Sequence, residues 1–268
     1  MTNQELIHVF EDTKSHSSEM LNSETTLHLF DERLMSDIRI PCYENIQVIN
    51  SDSVSAVTEY SKLGKTCVLN MASYKHPGGG VARGSKAQEE CLFRCSNLTH
   101  VINTDNYPLG DDKALYTKNA VFFKDVNYNY INEVESDVVT IAALNLNNVE
   151  VDFNDYSDTI TKDNISSINI NSEKITKWDY EELTKEKIRL ILSLAIKNDV
   201  DIIILGSFGC GVFKNDPEEM AKMFKHLLVN EGYSKYFEKV IFAIINDRNS
   251  VGNNYEIFKN VFSNYYLI

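Results

Sequence analysis

The sequence predicts an α/β fold, in which a largely parallel or mixed sheet lies between helices. Two runs, at residues 202–205 and 240–245, are continuously apolar, which is typical of strands covered on both faces. Helical segments separate the apolar runs, so strand and helix alternate over residues 200–245. With 268 residues, of which 43% are hydrophobic, the chain is long enough to bury a full core.

The individual elements follow from local patterns. Residues 3–36 are polar with spaced apolar side chains, and we expect them to be mainly helical. The most legible helix start is at Asp216, which is placed as the N-cap before Pro217. The span 145–178 has no clear period and is predicted to be a long connection with short local structure, with a helix as the alternative. Strands are predicted at residues 46–49, 66–71, 120–123, 138–144, 201–206 and 240–245. Further helices are predicted between Ser51 or Asp52 and Ser61, at 88–98 and at 181–197.

Composition excludes several kinds of partner. The net charge of −13 argues against nonspecific binding to nucleic acid or to an anionic membrane. An anionic substrate would therefore have to be held by local dipoles. No N-terminal apolar run resembles a signal peptide, and no stretch approaches the roughly 20 apolar residues of a membrane span. The five cysteines are scattered and lack CxxC spacing, so we expect reduced thiols in a cytoplasmic protein.

Seven of the eleven glycines fall in two short segments, at residues 78–84 and 206–211. Glycine lets backbone N–H groups turn toward a ligand where a Cβ would block its approach. The first segment leads into Gln88-Glu89-Glu90, which places two carboxylates beside the loop. Its spacing fits poorly to a Rossmann fingerprint and to a P-loop, in which lysine would directly follow the last glycine. A tight turn without a ligand remains an alternative.

These motifs resemble microbial-type poly(ADP-ribose) glycohydrolases. The signature is three glycines, seven further residues and then Gln-Glu-Glu, and other segments keep the family's order over most of the chain. The resemblance implies a macrodomain-like three-layer α/β/α sandwich with a mixed sheet. One departure is Leu144, which stands where the family often has proline before asparagine. The matching segments are 68–73, 77–80, 107–109, 116–125, 139–143, 206–217 and 242–244.

The resemblance also implies roles in hydrolysis of the O-glycosidic bond between ADP-ribose units. Glu90 would be the general acid and base, and Glu89 would bind ribose hydroxyls of the leaving unit. Gln88 would position the loop, while Ser73 or Asn70 would contact the distal ribose. Gly78, Gly79 and Gly80 would line the substrate. The second loop would hold the diphosphate through the backbone N–H groups of Ser207, Phe208, Gly209, Cys210, Gly211 and Val212. Phe208 or Phe213 would pack against a ribose or against the loop.

Other interpretations of these residues carry less weight. Phe213 is equally well explained by core packing. Cys210 has no neighbouring base in the sequence that would make it a nucleophile. Cys91 and Cys95 lie one helical turn apart, but without nearby histidines they indicate a core face rather than a metal site. We therefore expect neither a metal nor a cofactor.

The leading hypothesis is an enzyme that trims poly(ADP-ribose) to ADP-ribose, with relatives acting mostly from chain ends. One alternative is a non-catalytic ADP-ribose-binding module, and another is a hydrolase of mono-ADP-ribosyl linkages. Poly(ADP-ribose) or an ADP-ribosylated acceptor would be the substrate, with no direct nucleic-acid or membrane binding. We expect a monomer with an N-terminal helical extension at residues 1–40, packed on a catalytic domain at residues 41–268.

Overall fold

The computed structural model describes residues 1–30, 43–110, 112–155, 174–246 and 252–263. Within these ranges the chain forms a seven-stranded sheet, a small two-stranded sheet and helices. The strands are β1 (Glu24–Leu29), β2 (Ile46–Ile49), β3 (Thr66–Met71), β4 (Lys113–Lys124), β5 (Tyr130–Ile141), β6 (Glu150–Asp152), β7 (Lys174–Thr176), β8 (Ile202–Leu205) and β9 (Lys239–Ala243). The α-helices are α1 (Asn3–His16), α2 (Ser53–Tyr60), α3 (Gln88–Cys95), α4 (Leu98–Val101), α5 (Lys177–Lys197), α6 (Pro217–Lys225) and α7 (Asn254–Ser263).

The large sheet has the strand order β1-β4-β5-β3-β8-β9-β2. Strands β5, β3, β8, β9 and β2 run parallel to one another, whereas β4 is antiparallel to both β5 and β1. The mixed sheet that the sequence predicts is therefore confirmed. Because parallel strands end at the same edge, the segments that follow β3, β5, β8 and β9 gather there.

Helices cover both faces of this sheet. In β3, Cys67 and Leu69 point into one apolar core, whereas Val68 points into the other. The first core takes side chains from α5, α6 and α7, and the second from α1, α2 and α3. All four residues of β8 are buried, as expected for a strand between two helical layers. The result is the predicted α/β/α sandwich.

The N-terminal segment differs from its prediction. Residues 3–16 form α1 as expected, but the mainly helical prediction is wrong for residues 24–29, which form the edge strand β1. This segment pairs with β4, and the hydroxyls of Thr25 and Thr117 lie 2.8 Å apart across the two strands. β-Branched threonine suits such a pleated surface. Residues 31–36 lie outside the described residues, and the domain boundary at residue 40 remains a prediction.

Two further predictions need correction. The helix predicted over residues 88–98 ends at Cys95, because Ser96 forms an isolated bridge with Phe122 and breaks the helical run. The connection at 145–178 contains short local structure as predicted, since β6 and β7 pair in parallel, but the helix predicted at 181–197 begins earlier, at Lys177. There the Thr176 hydroxyl accepts a hydrogen bond from the backbone of Asp179 at 3.1 Å. Residues 156–173 of that connection lie outside the described ranges.

Candidate active site

The two glycine segments lie at the same edge of the sheet because they follow adjacent strands. The first follows β3 and the second follows β8, and these strands pair in parallel. Gly206 begins the second segment beside Met71 at the end of β3, where a Cβ would lie 3.1 Å from the methionine Cε. Glycine thus permits the close approach of the two strand ends.

The first loop, residues 76–85, turns tightly over the start of α3. Gly78 and Gly79 both have left-handed backbones, with φ of 71° and 55°. A Cβ on Gly79 would lie 2.7 Å from Oε1 of Glu90 and 3.0 Å from Oε2 of Glu89. Glycine is therefore required at this position, since the loop backbone lies directly against both carboxylates.

Gln88 fixes the start of α3 to the end of β3. Its Oε1 accepts a hydrogen bond from the backbone N–H of Met71 at 3.0 Å, and its Nε2 donates to the carbonyl of Leu69 at 2.6 Å. The same Nε2 donates to the hydroxyl of Ser53 at the start of α2. These bonds hold the first turn of α3 in place, and with it the next two residues.

Glu89 is buried, and both of its carboxylate oxygens are held. Oε2 accepts from the backbone of Ser73 at 2.7 Å, and Oε1 accepts from the backbone of Gly78 at 3.1 Å. Burial raises the pKa of Glu89 to about 7, although the hydrogen bonds from Ser73 and Gly78 act in the opposite direction. The neighbouring charge of Glu90 adds to the increase.

Glu90 is also buried, but only one of its oxygens is held. Its Oε1 accepts a hydrogen bond from the backbone N–H of Gly80 at 2.8 Å. Its Oε2 is buried without a hydrogen-bond partner among the described residues. Buried polar atoms are nearly always satisfied in native proteins, so an orphaned buried carboxylate oxygen indicates a place for a partner that the chain itself does not supply. Glu90 is thus fixed through one oxygen and available through the other.

The second loop combines internal hydrogen bonds with free donors. Cys210 and Lys214 donate their N–H groups to the carbonyls of Ser207 and Gly211 at 3.0 and 3.1 Å. Other N–H groups of this loop have no acceptor within the described part of the chain. Successive free N–H groups form a concave site for anions. In this loop, the N–H groups without an acceptor in the described ranges are those of Ser207, Gly209, Gly211, Val212 and Phe213.

The side chain of Asn215 holds the second loop in place through hydrogen bonds. Its fully buried Nδ2 donates to the carbonyls of Leu144 at 2.8 Å and Gly209 at 3.2 Å, and Tyr180 donates its hydroxyl to Oδ1. Gly209 has a φ of 73°, and a Cβ there would collide with Asn215 and with Ala143. Leu144, the departure from the family pattern, therefore still supplies a carbonyl that anchors the loop.

The structure brings together most of the residues that the sequence predicts for the site. Glu89, Glu90 and the glycines of the first loop are in contact, and Ser73 touches them through its backbone. Phe208 and Cys210 lie differently from the expectation, since both side chains are fully buried in the core and both N–H groups bind loop carbonyls. Burial raises the pKa of the Cys210 thiol, which disfavours a nucleophilic thiolate. Val212 is exposed and Phe213 is half-buried against the core.

Two neighbouring residues were not predicted as site residues. Asn254 begins α7, and its Nδ2 lies 3.5 Å from both the Ser207 hydroxyl and the Cys210 carbonyl, while its Oδ1 is buried without a partner in the described ranges. The Tyr107 hydroxyl is orphaned in the same way; burial, together with the charge of Glu89, raises its pKa. Tyr107 lies in one of the matching segments, which is the one signal that pointed to it.

Metal ligation and membrane insertion find no support in the described residues. No group of three or more His, Cys, Asp or Glu side chains in these ranges is arranged to hold a metal ion. Cys91 and Cys95 are free thiols, the first half-buried and the second buried. Among the helices described here, none has both the length and the apolar character that crossing a bilayer requires.

Fold and site together define a macrodomain-like α/β protein, with two buried carboxylates at the edge of the sheet where β3 and β8 end. Residues 7–128 match the family model of the microbial-type poly(ADP-ribose) glycohydrolase (PARG) catalytic domain. The match includes the first glycine loop and α3, so the resemblance that the motifs indicated is confirmed. No curated protein matches the chain.

Solved structures of bacterial PARGs share the fold. The PARG of Thermomonospora curvata is 20% identical, with 96% of this chain and 99% of that chain covered and a TM-score of 0.73. The same protein bound to the inhibitor ADP-HPD is 18% identical over the same shares, also with a TM-score of 0.73. The PARG of Deinococcus radiodurans in complex with ADP-ribose is 23% identical, with 89% and 94% covered and a TM-score of 0.68.

Proposed function

We propose that this chain is a poly(ADP-ribose) glycohydrolase, which cleaves ribose–ribose O-glycosidic bonds and releases ADP-ribose. The observation that carries the proposal is the state of Glu90, whose Oε1 is fixed by Gly80 while its buried Oε2 has no partner in the described ranges. The family match and the shared fold support the same reaction. So do the ADP-ribose and ADP-HPD complexes of the structural relatives.

Glu90 supplies the proton in this reaction. Cleavage passes through an oxocarbenium-like state, so the departing ribose oxygen must be protonated as the bond from the anomeric carbon breaks. The proton comes from Oε2 of Glu90. Water then attacks the anomeric carbon and returns a proton to the same carboxylate. A carboxylate anchored through Oε1 delivers and recovers the proton at one fixed position.

Glu89 orients the leaving unit. Its Oε1 accepts from the amide of Gly78 and from Nδ2 of Asn70, whereas its Oε2 accepts only from the amide of Ser73 in the described ranges and has a second lone pair that can accept from a ribose hydroxyl. Because it is held on both sides, Glu89 is suited to positioning rather than to proton transfer. The two adjacent glutamates therefore have separate tasks.

The second loop binds the diphosphate. The free N–H groups of Gly209, Gly211 and Val212 offer donors without a positively charged side chain. Such donors are needed because the net charge of −13 repels an anion at long range. Phe213 at the end of the loop is half-buried against the core, and in this proposal its ring also packs against a ribose of the substrate.

The decisive experiment compares wild type with Glu90→Gln on labelled polymer. Glutamine keeps the size of the side chain but cannot donate a carboxylic proton, so we expect the rate of ADP-ribose release to fall by about 10²- to 10⁴-fold. Affinity for free ADP-ribose, measured by calorimetry, should stay within a few-fold. Glu182→Gln, a half-buried glutamate on α5, is the matched control and should retain full activity.

The same assay separates the alternative functions. Tight binding of polymer by wild type without any release of ADP-ribose would establish a binding module instead. Release from a mono-ADP-ribosylated peptide, but not from polymer, would establish a hydrolase of mono-ADP-ribosyl linkages. A monomeric state, the absence of nucleic-acid binding and a cytoplasmic location accompany the proposal as predictions. Size-exclusion chromatography with light scattering tests the first of them.

A further inference from the structure

We infer that Arg94 is a positioning residue, which ties the first glycine loop to the N-terminal helix α1 and so keeps the two carboxylates in place. The part of this inference that concerns catalysis rests on the function proposed above. The part that concerns the loop rests on geometry alone.

Arg94 is fully buried, and the hydrogen bonds of its guanidinium go to backbone carbonyls, while its Nη1 has no hydrogen-bond partner among the described residues. The guanidinium carbon also lies 6.0 Å from the centre of the Tyr128 ring. Its Nη2 donates to the carbonyl of Ser85 at 2.6 Å and to that of Val81 at 3.3 Å, and its Nε donates to the carbonyl of Leu6 at 3.2 Å. No carboxylate within the described ranges forms an ion pair with it. A buried charge is costly unless it is well hydrogen-bonded, so these carbonyl dipoles stabilise the guanidinium.

The carbonyls come from two separate parts of the chain that the guanidinium joins. Val81 and Ser85 belong to the first glycine loop, and Leu6 belongs to α1. The planar fork of arginine reaches all three carbonyls at once, which the single ammonium of lysine cannot do with the same geometry. Arg94 therefore acts as a bridge between loop and helix.

Only a few bonds along the first glycine loop separate the carbonyls that bind Arg94 from the N–H group that binds Glu90. Val81 directly follows Gly80, whose N–H holds Oε1 of Glu90, and the N–H of Ser85 donates back to the carbonyl of Gly80 at 3.2 Å. Arg94 thus binds two carbonyls of the same turn whose Gly80 N–H binds Glu90. Loss of the guanidinium removes two hydrogen bonds from this turn, and we expect Glu90 to be held less rigidly.

Helix α1 is the anchor on the other side of the bridge. The hydroxyl of Thr13 donates to the carbonyl of Arg94 at 2.6 Å, and Gly84 packs so closely on α1 that a Cβ would collide with the carbonyl of Asn3. A second buried cation, Lys124, binds Asp12 at 2.6 Å and the hydroxyl of Thr13 at 2.8 Å. Lys124 therefore docks α1 as Arg94 does, but its contacts in the described ranges do not include the loop.

This difference makes Lys124 a matched control for Arg94. We would prepare Arg94→Lys, Arg94→Met and Lys124→Met and measure kcat and KM on polymer, hydrogen exchange of residues 78–85 and the melting temperature. For both Arg94 variants we expect kcat to fall by about 10- to 100-fold, with KM changed much less, since small misplacements of a catalytic group have effects of this size. Amide exchange in the loop should become faster. Lys124→Met should melt at a lower temperature yet keep its kcat and its loop protection.

The conservative variant keeps the test decisive if Arg94→Met does not fold. Arg94→Lys retains the charge, and Gly84→Ala disturbs the same contact from the side of the loop. A folded Arg94→Lys protein with wild-type kcat and wild-type loop exchange would overturn the inference. An equal loss of kcat in Lys124→Met would also overturn it, because the effect would then come from the docking of α1 in general. If wild type releases no ADP-ribose, the proposed function fails, and loop exchange alone decides the role of Arg94.

Discussion

Replacement of Gly79 by alanine tests the geometry of the site most directly. The new methyl group would lie 2.7 Å from Oε1 of Glu90 and 3.0 Å from Oε2 of Glu89, which is closer than a Cβ normally approaches an oxygen. One or both carboxylates must therefore move, and the hydrogen bond from Gly80 to Glu90 is the first to break. The left-handed backbone of residue 79, with φ of 55°, costs about 1–2 kcal/mol for a residue with a side chain.

The two effects of this change have different readouts. The backbone cost should appear as a loss of about 1–2 kcal/mol in the free energy of unfolding, measured with urea. The displaced carboxylates should lower kcat for ADP-ribose release by on the order of 10²-fold, because catalysis is sensitive to shifts of about 1 Å. Affinity for ADP-ribose should change less, since the donors for the diphosphate lie on the second loop.

A matched control is available in Gly232, which has a φ of 79° in the turn before residues Tyr233–Tyr236. Gly232→Ala carries a similar backbone cost but touches no candidate site residue, so it should lower stability and leave kcat unchanged. The reasoning would be refuted if Gly79→Ala retained the kcat of wild type, or if Gly232→Ala lost as much activity.

Two further predictions concern pH and the second loop. Because burial raises the pKa of Glu89 from 4.5 to about 7, the folded protein binds this proton more tightly than the unfolded chain, and stability is lost as pH rises from 4.5 to 7. The loss is roughly 1.4 kcal/mol per pKa unit, and Glu89→Gln should lack this part of the pH dependence in urea titrations between pH 4.5 and 8. Asn215→Ala should weaken ADP-ribose binding in calorimetry more than it lowers kcat, because it leaves the buried carbonyl of Leu144 and the buried hydroxyl of Tyr180 without their partner, at about 1–3 kcal/mol for each unsatisfied group. An unchanged affinity in a folded Asn215→Ala protein would contradict the role of this residue as a brace.

Elements with strong local signals were predictable from the sequence. The apolar runs at β8 and β9 and the N-cap at Asp216 are properties of neighbouring residues, and the structure has them where they were expected. Strand β1 has no such signal, since its strand character depends on pairing with β4, roughly ninety residues later in the chain. Local periodicity cannot report a partner at that distance.

The site was predictable as far as backbone requirements extend. Glycines mark places where no Cβ fits, and Gly79 and Gly209 are such places in the structure. Buried polar side chains have no comparable signal in the amino-acid sequence. Arg94 looks like an ordinary exposed arginine on a helix, because the carbonyls that bind it lie nine, thirteen and eighty-eight residues away along the chain. Asn254 is equally inconspicuous until α7 places it beneath the second loop.

The different roles proposed for Glu89 and Glu90 follow from the helix that carries both residues. Successive residues on an α-helix point about 100° apart, so Glu89 and Glu90 cannot face the same donors. Glu89 turns toward the end of β3 and meets two amides there, whereas Glu90 turns under the glycine loop and meets only Gly80. Both oxygens of the first carboxylate therefore already accept hydrogen bonds from the protein, whereas one oxygen of the second has no partner in the described ranges. In the proposed reaction the unpartnered oxygen of Glu90 carries the proton to the departing ribose, and the role inferred for Arg94 and α1 is to keep that oxygen in place by holding the loop.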